Sequence, residues 1–105
     1  MPTQQEIAAV LAKVETYQGK KALSDAAQKL SDTASQRANA ARSAFDAMVA
    51  DGETDEEKLS TVLVAVVETK LDSDAKQTDA QTKSTEASQA NTQLSDAIYA
   101  LTVPA

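Results

Sequence analysis

The stretch Val49-Ala50-Asp51-Gly52-Glu53-Thr54-Asp55-Glu56-Glu57-Lys58-Leu59 places a helix stop and a helix start back to back. Gly52 follows an apolar-periodic run and is free to take the left-handed conformation that closes a helix. Thr54, with Glu57 three residues on, has the form of a capping box for the next helix. Asp55, Glu56 and Glu57 then fall in the first turn, where the amide end of the helix dipole favours negative charge by about 0.3 to 1 kcal/mol each. The turn at 51–54 therefore divides the chain into two arms.

In the first arm, Thr3 and Glu6 repeat the capping-box spacing and predict a helix start at about Gln4. Ile7, Val10, Leu11 and Val14 make one apolar stripe. A second stripe runs Leu23, Ala27, Leu30, Ala34, Ala38, Ala41, Phe45, Val49, spaced as an eleven-residue repeat. At about 100° per residue the two stripes fall on nearly opposite faces of a continuous helix. The expectation is a kink or break near Gly19, with helices at about 4–18 and 20–50.

The second arm opens on Leu59, Val62, Leu63, Val64, Val66 and Val67, the densest apolar run in the chain and the segment expected to be most buried. Large apolar residues then vanish from Leu71 to Gln93. The seven-residue series Leu59, Val66, Ser73, Ala80, Ala87, Leu94, Leu101 nevertheless holds one coiled-coil register throughout. Asp72 with Lys76 and Asp79 with Lys83 are acid-before-lysine pairs at i, i+4. No Gly or Pro interrupts residues 53–103, so one helix is expected over about 55–101, with Asp72 to Asp74 as its weakest point and Pro104 beyond its end.

Folding back at Gly52 makes facing residue numbers add to about 105, so that Ile7 meets Ile98, Leu11 meets Leu94, Ala34 meets Leu71, and Tyr17 and Tyr99 approach near the open end. The fold expected is therefore all-α, a single domain built as an elongated antiparallel helical hairpin with a kink or break near Gly19. The alternative is a full reversal at Gly19, giving a three-helix bundle with a long third helix.

Composition narrows function mainly by exclusion. Cys, His and Trp are absent, which removes disulfides, thiolate or imidazole metal sites and Cys/His nucleophilic machinery. No metal or other cofactor is expected. The carboxylates of residues 51–57 lack calcium-loop spacing, since Gly52 stands second where the sixth position needs glycine. The net charge of −6 is uneven: residues 1–50 carry six Lys and Arg against five acids, and residues 51–105 carry four Lys against eleven acids. Nucleic acid is thus not an expected partner. The first helix is amphipathic, but its polar face holds Glu6 and Glu15 against Lys13, unlike the basic face of a membrane-surface helix. Neither a membrane span nor a secretory signal is visible, and location cannot be read.

Ile, Leu, Val and Phe together supply 19 of 105 residues, near the threshold at which chains stop burying a core of their own, while 21 alanines keep helix propensity high. The expected function is non-enzymatic: a small acidic helical subunit that self-associates as a dimer or trimer, or coats a larger assembly of other proteins such as a phage or virus particle. The alternative is a helical adaptor or regulator that binds a partner protein's helix through an apolar stripe. The interface is expected at Leu59, Leu63, Val66 and Val67, with Phe45 and Met48 from the first arm and Leu94, Ile98 and Leu101 near the end of the second.

Overall fold

A computed structural model, which describes residues 1–102, shows an all-α antiparallel hairpin of two helices, α1 (Gln4–Ala50) and α2 (Glu56–Thr102). No strand occurs among the described residues. Pro104 lies outside them.

The three expected helices are two. α1 passes through Gly19 without interruption, and a Cβ at that position would meet nothing within 4 Å. The phase argument for a break fails because the buried edge of α1 keeps one phase across Gly19. Burial recurs every seven residues at Val10, Tyr17, Ser24, Ser31, Ala38 and Phe45, accompanied by Ala27, Ala34, Ala41 and Met48. This heptad spacing keeps one phase across Gly19; five of the eight positions of the eleven-residue repeat, Ala27, Ala34, Ala38, Ala41 and Phe45, lie on this edge, and Leu23, Leu30 and Val49 do not. Leu23 and Leu30, the anchors of that repeat, are 54% and 56% exposed. α2 likewise runs unbroken through Asp72 to Asp74. Its buried or half-buried positions include the whole series Leu59, Val66, Ser73, Ala80, Ala87, Leu94, Leu101.

The start of α1, its end and the start of α2 are satisfied locally. At the start of α1 the Thr3 amide donates to Glu6 Oε1 and the Glu6 amide to Thr3 Oγ1, both at 3.1 Å, which is a complete capping box. α1 ends in a Schellman motif: the Gly52 amide donates to the Val49 carbonyl at 3.1 Å and the Glu53 amide to the Met48 carbonyl at 3.0 Å. Gly52 takes φ +79°, the conformation that motif requires. α2 begins one residue later than expected, and Asp55 rather than Thr54 is its cap. The Asp55 carboxylate accepts from the amides of Glu57 at 3.0 Å and Lys58 at 3.5 Å, while Glu53 accepts from the Asp55 amide at 3.0 Å. A carboxylate caps at least as well as a threonine hydroxyl and also meets the helix dipole with full charge.

The polar length of α2 is helical throughout. Thr78, Thr85 and Thr92 each donate the hydroxyl to the carbonyl four residues earlier, at 3.0 to 3.1 Å, which satisfies the side chains without interrupting the helix. Exposed i, i+4 ion pairs, Lys70 with Asp74 at 2.9 Å and Lys76 with Asp72 at 3.6 Å, add about 0.2 to 0.5 kcal/mol each.

Contacts divide the chain into two units. In residues 27–79, which hold the turn, Ala27, Ser31, Ala34 and Ser73 are buried. There Ser35 Oγ lies 3.1 Å from Ser73 Oγ, and Gln77 Nε2 donates to Ser35 Oγ at 3.3 Å. In the other unit, residues 1–26 pair with the chain from Ala80 onward; Ala80, Ala87 and Ala90 are buried, and Lys20 Nζ lies 3.6 Å from Glu86 Oε2. The numbers of these cross-helix pairs, Ser35 with Ser73 and Lys20 with Glu86, add to 108 and 106, so the register is displaced by about two residues from that expected. Ala34 consequently does not face Leu71, which is 64% exposed, and Ile7, Leu11 and Ile98 remain exposed as well.

Candidate functional site

The seam is lined by small residues at its most enclosed points. Every described residue classed as buried is alanine or serine, and no side chain there falls below 2% exposure. A lone partner helix covers one stripe of its neighbour, and short side chains in that stripe allow backbones to approach, so alanine and serine vanish from solvent before larger residues do. The expectation that Leu59 to Val67 is the most buried segment is therefore corrected. Burial is deepest at Ala34 and Ser73, each 3% exposed.

The residues expected at an interface separate into two sets. Phe45, Met48, Leu59, Val66, Leu94 and Leu101 are half-buried within the hairpin. Leu63, Val67 and Ile98 are turned to solvent, at 46%, 50% and 48% exposure. Val64 and Leu71, outside the expected set, are exposed at 51% and 64%. The signal that identifies them is the heptad of α2 itself. Once Leu59, Val62 and Val66 occupy the seam, the neighbouring apolar residues of a run rich on several faces must point away from it.

Leu63, Val67 and Leu71 stand four residues apart, which sets them within about 40° of one another's neighbour around α2. Val64 borders this face on one side and Lys70, paired with Asp74, on the other. Ser60 and Asp74, seven residues before and after Val67, continue the face at its two ends. No charged residue occurs from Leu59 through Val67, while the Lys70–Asp74 ion pair lies beside Leu71 at the other end of the face. All of it belongs to residues 27–79.

The other candidate features have local explanations. Glu53 and Asp55 are spent on the cap of α2, and among the described residues no group of three or more Asp or Glu side chains converges so as to hold a metal ion. A surface depression beside the turn is lined by Met48, Asp55, Glu57, Lys58, Thr61 and Val62. A second, polar one in the other unit is lined by Tyr17, Lys21, Ser24, Asp25, Ser84, Ala87, Ser88 and Asn91. Tyr17 and Tyr99 do not form the expected pair. Tyr17 is half-buried on the seam, while Tyr99 is 70% exposed, and the observed register sets them about nine residues, or ~13 Å, apart along the helix axes. No helix among the described residues is long and apolar enough to cross a membrane. Compared with protein-family models, curated proteins and solved structures, the chain matches none.

Proposed function

We propose that this chain is a non-enzymatic assembly protein, a small helical subunit that associates with copies of itself or with other proteins of a larger structure, a phage or virus particle being one such structure. The observation that carries this reading is the inverted use of its apolar residues. The most buried positions hold alanine and serine, while Ile7, Leu11, Leu30, Leu63, Val64, Val67 and Leu71 are each 45% exposed or more. Fully burying a Leu or Val contributes about 1.5 to 3 kcal/mol, against roughly 0.8 kcal/mol for each buried methyl-sized group. Much of the hydrophobic stabilisation available to this sequence is thus left for contacts outside the single chain. Coiled-coil packing, supported by the heptad spacing of burial on both helices, is the form such contacts would extend.

The alternative, an adaptor or regulator gripping a partner's helix, draws on the same observation in another way: Leu63, Val67 and Leu71 form one short stripe at i, i+4, i+8, suited to a single foreign helix. Light scattering combined with circular dichroism over a concentration series separates the two. A stable oligomer whose helicity falls as it dissociates supports the assembly protein. A well-folded monomer at every concentration overturns self-association and favours the adaptor.

A further inference from the structure

The seams of α1 and α2 share one heptad count. In α1 every seventh residue from Val10 to Phe45 is buried or half-buried, and in α2 every seventh from Leu59 to Leu101. Phe45 and Leu59 are fourteen residues apart, so a single series runs through the turn and skips one place, the exposed Gly52. The second seam position behaves alike. Its members from Lys20 to Met48 and from Val62 to Ala97 form one series that skips the exposed Asp55. A hairpin makes no such demand, because its turn interrupts the count and each helix needs only a stripe of its own. A continuous coiled coil does demand it.

We infer that the chain self-associates by exchanging arms: residues 51–55 join α1 and α2 into one helix, and α1 of each copy packs on α2 of the second copy through the seam contacts that the hairpin makes within one chain. This deepens the assembly reading above and rests on it. The surface is the seam itself, and the second copy's α2 is a segment already shaped to it. Ser35 then meets the second copy's Ser73, and Lys20 the second copy's Glu86, as each meets its own in the hairpin. Every such contact occurs twice, i with j and j with i, which is what a two-fold dimer requires. The pairs add to 108 and 106, so the axis falls at about residues 53 and 54, inside the turn.

The turn decides which form prevails. Straightening it gives up the closing bonds at Gly52 and the Asp55 cap. It also gathers Asp51, Glu53, Asp55, Glu56 and Glu57 of both copies around the axis, with Lys58 as the only cation of that segment. Like charges oppose this meeting, and salt screens them. Exchange therefore belongs to raised protein concentration and salt, and the closed hairpin to dilute solution.

Because the chain has no cysteine, introduced thiols separate the two forms. Ser35→Cys and Ser73→Cys are made as single variants, unfolded together, refolded at high concentration and high salt, and mildly oxidised. Arm exchange sets the thiol of one chain against that of the other, where the native hydroxyls are 3.1 Å apart, and gives the disulfide-linked heterodimer at least about tenfold over either homodimer. Closed hairpins face each thiol with a serine of its own chain and give no such preference. Gly52→Ala supplies a second reading by light scattering. Alanine is strained in the closed turn, where φ is +79°, and favoured in a continuous helix. It shifts the monomer–dimer equilibrium toward dimer by at least about tenfold. Gly19→Ala, which lies in helix in both forms, leaves that equilibrium unchanged. If the native chain is oligomeric but the heterodimer does not exceed the homodimers and Gly52→Ala leaves the size unchanged, the arms are not exchanged, and the assembly reading survives without them. If the native chain and Gly52→Ala are both monomeric at every concentration and salt, arm exchange and self-association fall together.

Discussion

The hydroxyl oxygens of Ser35 and Ser73 lie 3.1 Å apart, joining α1 to α2 where Ser73 is only 3% exposed. The contact is close because nothing larger than serine stands in the way. Gln77 adds its amide to Ser35 at 3.3 Å, so the polar atoms in this part of the seam are satisfied across the helices.

That closeness sets the response to substitution at Ser73. Ser73→Leu forces a large side chain into a position without room and lowers stability by about 1–3 kcal/mol. Ser73→Ala keeps the volume and loses one hydroxyl pair, a cost of about 0.5–1.5 kcal/mol, reduced because Gln77 still serves Ser35. Urea unfolding at one fixed protein concentration checks both, the midpoint falling further for leucine. A leucine variant as stable as the native chain would show that the seam is not close-packed there.

Gly52→Ala tests the turn. The residue sits at φ +79°, with open space around a would-be Cβ, so the whole penalty is conformational, about 1–2 kcal/mol. Gly52→Asn costs less, since asparagine enters the left-handed region more readily. Denaturation midpoints in the order glycine, asparagine, alanine are expected.

The hairpin and its turn were legible because their signals are local: Gly52 closing a helix, acids at the next helix start, and hardly any other glycine or proline. The seam of α2 was legible for the same kind of reason, a seven-residue series from Leu59 to Leu101 that is buried or half-buried throughout. In α1 the alanines of the expected stripe and Phe45 are buried or half-buried, and the departures are Leu23, Leu30 and Val49, where size overstates burial. Leu23 and Leu30 stand one position before Ser24 and Ser31, and the shorter residues are the enclosed ones. Following the leucines shifts the phase and suggests a break at Gly19 that α1 does not have. For the candidate interface residues the limit is a related one. An apolar run identifies residues that need cover, but which of them the hairpin itself covers depends on a register that only the facing helix fixes.

Val66 and Val67 separate those two kinds of cover. Val66 is half-buried against the hairpin, while Val67 is 50% exposed. Val66→Asp puts an unpaired charge into the contact between the helices and destabilises the fold by about 1–3 kcal/mol. Val67→Asp leaves the fold within about 0.5 kcal/mol. Thermal unfolding followed by circular dichroism, at a concentration low enough to suppress association, reads the difference. Equal losses for the two variants would place both valines in the same environment.

The start of α2 gives a paired test of its cap. Asp55 accepts the amides of Glu57 and Lys58, so Asp55→Ala removes about 0.5–2 kcal/mol. Thr54→Ala changes stability by less than about 0.5 kcal/mol, because the threonine stands outside that arrangement. The reverse ranking in chemical denaturation would restore Thr54 as the cap.

Gly19→Ala bears on the continuity of α1. Glycine in a helix interior costs about 0.8–1 kcal/mol relative to alanine, through the backbone freedom it gives up on folding. Gly19 lies well inside α1, its φ is not positive, and an added Cβ meets nothing within 4 Å. The substitution therefore stabilises the chain by up to about 1 kcal/mol, raising the denaturation midpoint with an unchanged slope. A break at this position would reverse the sign, since alanine would oppose the conformation that a break requires. Loss of stability or of helicity in Gly19→Ala would mean that α1 is two helices in solution.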